Sequence, residues 1–198
     1  MDGLRELKKR RTRAAIQEHA LRLFEAQGYD ATTVEQIAAA AEVSPATFFR
    51  YFKTKEDVVI EDDYDPLLAA ALEKAPADLP PLRAIRYALR EAFTEITPEE
   101  MEQVLSRTKL IMSVPALRAR SLENLLATID AVAPPLAARL GRPVSDRTVR
   151  VLVGAAVGAW LTVILEWLAS DGATDLPTLM DSALAALDDG LRDPLRRS

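Results

Sequence analysis

Residues 32–57 of this 198-residue chain read TTVEQIAAAAEVSPATFFRYFKTKED, and this stretch decides the fold. Thr32 or Thr33 is placed to cap a helix: a threonine hydroxyl accepts from an orphan amide, and Glu35 or Gln36, three residues on, reaches back to close a capping box. Val34, Ile37, Ala38 and Ala41 then share one face at helical spacing. Glu42-Val43 leaves room only for a sharp reversal. Ser44 before Pro45 is an N-cap followed by proline at the first helical position, where its missing N–H costs nothing. On this second helix Phe48 and Phe52 lie one turn apart and face inward. Pro45, Ala46, Thr47, Phe49, Arg50 and Tyr51 remain around the outward face and rim. Two short helices joined in this way form a helix-turn-helix, whose second helix enters the major groove of DNA.

Upstream, Ile16, Ala20, Leu23 and Phe24 recur at helical spacing and define one helix that ends at Gly28 as a left-handed C-cap. The three helices make a small DNA-reading head. The net charge of −5 argues against a nucleic-acid binder until it is resolved by region. Residues 1–55 carry ten Lys and Arg against seven Asp and Glu, whereas residues 56–198 carry fifteen against twenty-three. The basic excess is concentrated at Lys8, Lys9, Arg10, Arg11 and Arg13. A run of this kind is usually a solvated face, but directly before a helix-turn-helix it points to phosphates or an adjacent minor groove.

Downstream, Thr54 and Asp57 cap a helix predicted to begin at Lys55, to aim Lys55 at a phosphate and to link head to body, with a bend or break at Pro66 near Asp65. Pro76, Pro80 and Pro81 mark a loop. Helices are predicted over 82–96, from the Thr97-Pro98-Glu99-Glu100 capping box to just before Pro115, over 116–133, as a short turn between Pro134-Pro135 and Gly141, from a Ser145 cap to Ala169, and over 176–191. No strand pattern appears. The prediction is an all-α protein: a head with its N-terminal arm over residues 1–55 and a helical body for ligand binding and dimerisation over 56–198. Val151 to Leu165 is apolar without interruption but falls short of the roughly twenty residues a bilayer needs, so a buried helix and no membrane partner are expected.

Thr32, Thr33, Ile37, Ala38, Val43, Ser44, Thr47, Phe48, Phe52 and Lys55 stand in the register of the TetR family of bacterial transcriptional regulators, which residues 10–60 resemble closely. Glu42 departs from the glycine usual at the turn, and Phe49 from a phosphate-contacting tyrosine whose role Tyr51 is placed to take. The resemblance implies a homodimer on a palindromic double-stranded operator. For base edges we select Thr47 and Arg50, and for phosphates Thr33, Tyr51 and Lys55, with Lys9, Arg10, Arg11, Ser44, Pro45, Ala46 and Phe49 completing the DNA-binding set. In the family the final two long helices pair between subunits. Here Gly154 and Gly158 offer a smooth strip, and Leu179, Ala183 and Leu187 line the last helix. The family also encloses a small-molecule effector in the body. The search region for an apolar or amphipathic effector is Leu68, Leu72, Tyr87, Phe93, Met101, Leu105, Ile111, Met112, Leu126, Trp160 and Trp167, residue types that fill cores by default. The aromatic Thr47-to-Phe52 segment is similar to an actinobacterial subgroup that includes regulators near mycofactocin genes.

No cysteine is present and His19 is the single histidine, so thiolate and histidine metal sites within one chain are excluded. No nucleophile elbow, phosphate loop or Cys-His pair points to catalysis, and no cofactor is implied. The N-terminal residues lack the apolar core of a signal peptide, and a cytoplasmic protein is expected. A DNA-binding architectural protein without a ligand remains the competing possibility.

Overall fold

The computed structural model describes residues 2–61, 64–94 and 96–192. Among the described residues there are ten helices and no strand: α1 (Asp2–Gln27), α2 (Val34–Ala40), α3 (Pro45–Tyr51), α4 (Asp57–Ile60), α5 (Tyr64–Lys74), α6 (Pro81–Thr94), α7 (Pro98–Ser113), α8 (Pro115–Leu140), α9 (Arg147–Ala169) and α10 (Leu176–Arg192). The all-α prediction holds. Packing separates two units, the first comprising residues up to Glu61 with Lys109–Leu122 and the second the remainder. The division falls inside α7 and α8, so a boundary at residue 55 does not describe how the chain packs.

In the first unit α1 stops at Gly28, whose φ of +86° suits glycine, and whose amide donates to the Phe24 carbonyl at 2.9 Å. Thr33 is the cap of α2: its hydroxyl accepts from the Gln36 amide at 3.2 Å, and Gln36 Oε1 accepts from the Thr33 amide at 2.9 Å. Thr32 is buried instead, its hydroxyl donating to the Gly28 carbonyl at 2.8 Å and closing the turn between α1 and α2. Glu42 takes φ +54°, the left-handed conformation in which a non-glycine residue costs about 1–2 kcal/mol. Ser44 caps α3 through the Thr47 amide, with Pro45 at the first helical position. Ile16, Phe24, Ile37, Phe48 and Phe52 form the core, joined by Leu117 from the start of α8.

The long linker helix predicted from Lys55 does not form. α4 is a single turn, Glu61 is extended, and helix resumes at Tyr64. Val58, Val59 and Ile60 are all buried, and three consecutive residues cannot share one face of a continuing helix. Gln17 Nε2 donates to the carbonyls of Val58 at 3.3 Å and Glu61 at 2.7 Å, acceptors that another helical turn would need for itself. Pro66 lies in the first turn of α5, where it opens a helix and bends none.

The second unit packs α5, α6, α9 and α10 around Leu72, Ile85, Leu136, Val153, Trp167 and Leu184. The predicted break at Pro134-Pro135 is absent, and α8 runs through both prolines to Leu140. Val132, Ala133, Leu136 and Ala137 lie on one face and are all buried. Burial of Val132 and Leu136, about 1.5–3 kcal/mol each, with Ala133 and Ala137 beside them, offsets the greater part of the penalty for two helix-interior prolines, about 3 kcal/mol each. The carbonyls that lose their donors belong to Asp130 and Ala131, both exposed, where solvent can supply a donor. Gly141 ends α8 at φ +60°, with its amide on the Ala138 carbonyl and the Arg142 amide on Ala137. Asp146, not Ser145, caps α9: its carboxylate accepts from the amides of both Thr148 and Val149.

Candidate nucleic-acid interface

α3 is one side chain deep. Phe48 is its buried anchor, and the residues around it point outward from positions that their neighbours hold. The Ser44 hydroxyl, already accepting from the Thr47 amide at 3.1 Å, lies 3.0 Å from Thr47 Oγ1, which orients that hydroxyl at the N-terminal end of the helix. Arg50 is exposed, its guanidinium 5.4 Å from the centroid of the half-buried Tyr51 ring, a cation–π contact that braces the charge. Phe49 is 52% exposed and meets Phe48 edge-on at 5.4 Å. Pro45 and Ala46 are exposed beside it, as is Thr33 at the start of α2.

The basic run before the motif is not an extended arm. It lies in α1, which is helical from Asp2 because no residue between Leu4 and Arg13 breaks a helix. Lys9, Arg10 and Arg11 are exposed along it. Arg13 serves the unit itself: its guanidinium lies 4.5 Å over the Phe52 ring and pairs with Glu61 at 3.1 Å.

Lys55 behaves differently from its phosphate-facing expectation. Its ammonium donates to the carbonyls of Tyr29 at 2.9 Å and Thr32 at 3.1 Å, and lies 4.0 Å from the Tyr29 ring centroid. One N–H is left for a phosphate. The Tyr29 hydroxyl donates to Glu56 at 2.6 Å. Burial, then that carboxylate, pushes the phenol well above its ordinary range, so it stays a donor. The Lys55 cation therefore clamps the turn before α2 to α4. Asp57, 1% exposed, forms the predicted local box with Thr54, accepting from the Thr54 amide at 3.1 Å, and also accepts from Arg120 at 3.0 Å, a distant partner that no local pattern revealed.

The proposed effector residues scatter. Phe93 and Trp160 stack at 6.2 Å, and Leu68, Tyr87, Met101 and Leu105 pack half-buried on the second core. Leu72 and Trp167 lie inside that core. Ile111 and Met112 belong to the first unit, and Leu126 is 65% exposed on α8. Leu105 covers the backbone at Gly172, where an added Cβ would meet its Cδ2 at 2.6 Å. A groove of about 220 Å³ between α6 and α10 takes in Phe93, Leu89, Met180 and the Arg86–Asp181–Arg90 ion pairs.

α9 turns Val151, Gly154, Ala155, Gly158, Thr162 and Leu165 outward, none of them charged, with Val151 59% exposed. Its most apolar 18-residue window has mean hydropathy 2.0 and is 28% buried. A Cβ added at Gly154 or Gly158 would meet, among the described residues and beyond its own helix backbone, no atom within 4 Å, so no close approach of another described segment explains two helix-interior glycines that cost about 1 kcal/mol each against alanine. Leu179, Ala183 and Leu187 of α10 pack half-buried against the core.

Residues 16–61 match the N-terminal domain of bacterial regulatory proteins of the tetR family, and residues 79–192 match the MftR C-terminal domain. The chain is 38% identical to the HTH-type transcriptional regulator TcmR of Streptomyces glaucescens, over 94% of this chain and 85% of that one. It is 26% identical, over 89% of each chain, to MftR of Mycobacterium tuberculosis, named for the regulation of mycofactocin biosynthesis. Among solved structures it resembles the TetR-family repressor FadR of Thermus thermophilus in complex with lauroyl-CoA, with TM-score 0.56, 27% identity, and coverage of 90% of this chain and 94% of that one. It shares its fold with SmeT in a triclosan complex, with TM-score 0.57, 20% identity, and coverage of 88% and 90%.

Proposed function

From the premise that this chain belongs to the TetR family of bacterial transcriptional regulators, we propose that it is a repressor that binds a palindromic operator as a homodimer in the cytoplasm and is released by an apolar or amphipathic effector. The observation that carries the proposal is the outward face of α3, where Thr47 and Arg50 stand pre-positioned on a helix anchored by one buried phenylalanine. Arg50 has the fork that reads guanine O6 and N7, and Thr47 a hydroxyl for a base edge. Thr33, Tyr51, the free N–H of Lys55, and Lys9, Arg10 and Arg11 serve phosphates, which position without specifying. Ser44, Pro45, Ala46 and Phe49 complete the contact surface.

A seven-residue recognition helix reaches too few bases alone, and two copies must read half-sites about 34–36 Å apart or a multiple of a helical turn. The glycines and the uncharged outward stripe between Val151 and Leu165 of α9 support self-association through Gly154 and Gly158, with Leu179, Ala183 and Leu187 alongside. An effector in the helical body, near Leu68, Tyr87, Phe93, Met101, Leu105 and Trp160, acts by changing the separation of the two heads. The lauroyl-CoA held by the Thermus repressor supports an amphipathic acyl ligand.

The test is selection of genomic fragments by the purified protein, followed by titration of the enriched duplex with and without lauroyl-coenzyme A or triclosan. Release by about 5–150-fold, matched by equal weakening of the ligand by operator, is expected. A ligand shown to occupy the body that leaves operator affinity unchanged sinks the effector mechanism. An architectural DNA binder would instead enrich no common sequence.

A further inference from the structure

Phe49 presents a problem that its neighbours do not. A phenyl ring 52% exposed on a helix whose task is to meet a polyanion is out of place against phosphate, to which it can donate nothing. It is not loose. Its edge-to-face contact with Phe48, which is fully buried, holds the ring at 5.4 Å and turns it outward. Exposed Ala46 lies three residues before it and exposed Pro45 four residues before it, so the three share one flank of α3. Thr47, Arg50 and Tyr51 take the other flank. The outward surface of the helix is thus split lengthwise into an apolar strip and a hydrogen-bonding strip.

In the major groove the apolar feature of a base edge is the C5-methyl of thymine, and the Arg50 fork suits guanine on the hydrogen-bonding side. We propose that Phe49, with Ala46 and Pro45 beside it, is a specificity-determining residue that reads thymine methyl groups next to the base pair addressed by Arg50. This deepens the DNA-reading assignment and rests on it. The chain then discriminates thymine from cytosine at that position by burial of one methyl against the ring, with no hydrogen bond involved.

The experiment selects bound sequences from a randomised duplex with the full-length protein, then replaces each thymine of the enriched half-site by deoxyuridine, which removes the methyl and leaves pairing intact. Loss of one buried methyl corresponds to roughly fourfold weaker binding. We expect one or two thymines per half-site to show a three- to tenfold penalty in the native protein. Phe49→Ala should shrink the penalty below twofold, and Phe49→Leu, which keeps apolar bulk, should retain part of it. If no deoxyuridine substitution weakens the native protein by more than twofold, or if the penalty survives in Phe49→Ala, the proposal is wrong. Failure to enrich any sequence would instead overturn the DNA-reading assignment on which it rests.

Discussion

α3 and α9 each present an outward face, and they are built in opposite ways. α3 has seven residues, a side-chain cap, proline at its first position and a single buried residue, and its outward Thr47, Phe49 and Arg50 are each braced by a neighbouring side chain. α9 has twenty-three residues, and between Val151 and Leu165 its outward face is a run of small and aliphatic groups. A helix of seven residues is far below the length at which helices persist alone, so caps and one core phenylalanine must hold it. A helix three times longer also carries a cap, at Asp146, but spreads its anchoring over six buried residues and tolerates interior glycines. The difference suits the two partners proposed for these faces: base edges vary from site to site and must be met group by group, whereas a second copy of the chain would offer the same surface every time.

The comparison breaks most severely at Phe48. Phe48→Ala should cost about 3–5 kcal/mol and lower the melting temperature of the first unit, with DNA binding lost alongside. Phe49→Ala, next to it, should stay within about 0.5 kcal/mol in the same melt, as for an exposed residue. Equal effects at the two positions would show that α3 is not singly anchored.

On α9, Gly158→Leu should weaken self-association by about 1–3 kcal/mol through overpacking, seen as a fall in mass by light scattering, while leaving helicity unchanged. Since among the described residues no atom outside its own helix backbone stands within 4 Å of the added Cβ, an unchanged mass would mean that this face does not meet a second copy. Arg50→Ala should cost about 1–3 kcal/mol of operator affinity and relax preference at one base pair, read by competition titration. Ser44→Ala should cost about 1 kcal/mol of stability, read in a denaturant melt, because it removes the cap on which so short a helix as α3 depends.

The smallest effect tests whether surface charge matters to the body at all. Hydrogen bonds from Arg86, with burial opposing and Arg90 assisting, hold the Asp181 carboxyl below its ordinary range. A depressed carboxylate contributes stability above its unfolded pKa of about 4 and loses it as pH falls through the folded value. Because the pair is partly exposed, the contribution should stay below about 1 kcal/mol. Asp181→Asn should therefore flatten the acid limb of the melting-temperature profile and leave the neutral region nearly unchanged.

Sequence alone determined the features that depend on partners within about four residues. The Thr33–Gln36 box, Ser44 before Pro45, Gly28 and its φ, the strained Glu42 turn and the Phe48–Phe52 pair were all legible, because a cap or a left-handed residue is a local hydrogen-bonding or steric event. The outward set on α3 followed from them by helical spacing. Tertiary structure alone decided the rest. α4 stops after one turn because Gln17, some forty residues away in the chain, takes its carbonyls. Pro134 and Pro135 stay inside α8, where the buried face around them compensates for the hydrogen bonds they remove. Lys55 turns onto Tyr29 and Thr32, and among aromatic and aliphatic residues of similar pattern Trp167 is buried while Leu126 is exposed. These outcomes are sums of burial and pairing over distant segments, and such sums do not exist until the chain has folded.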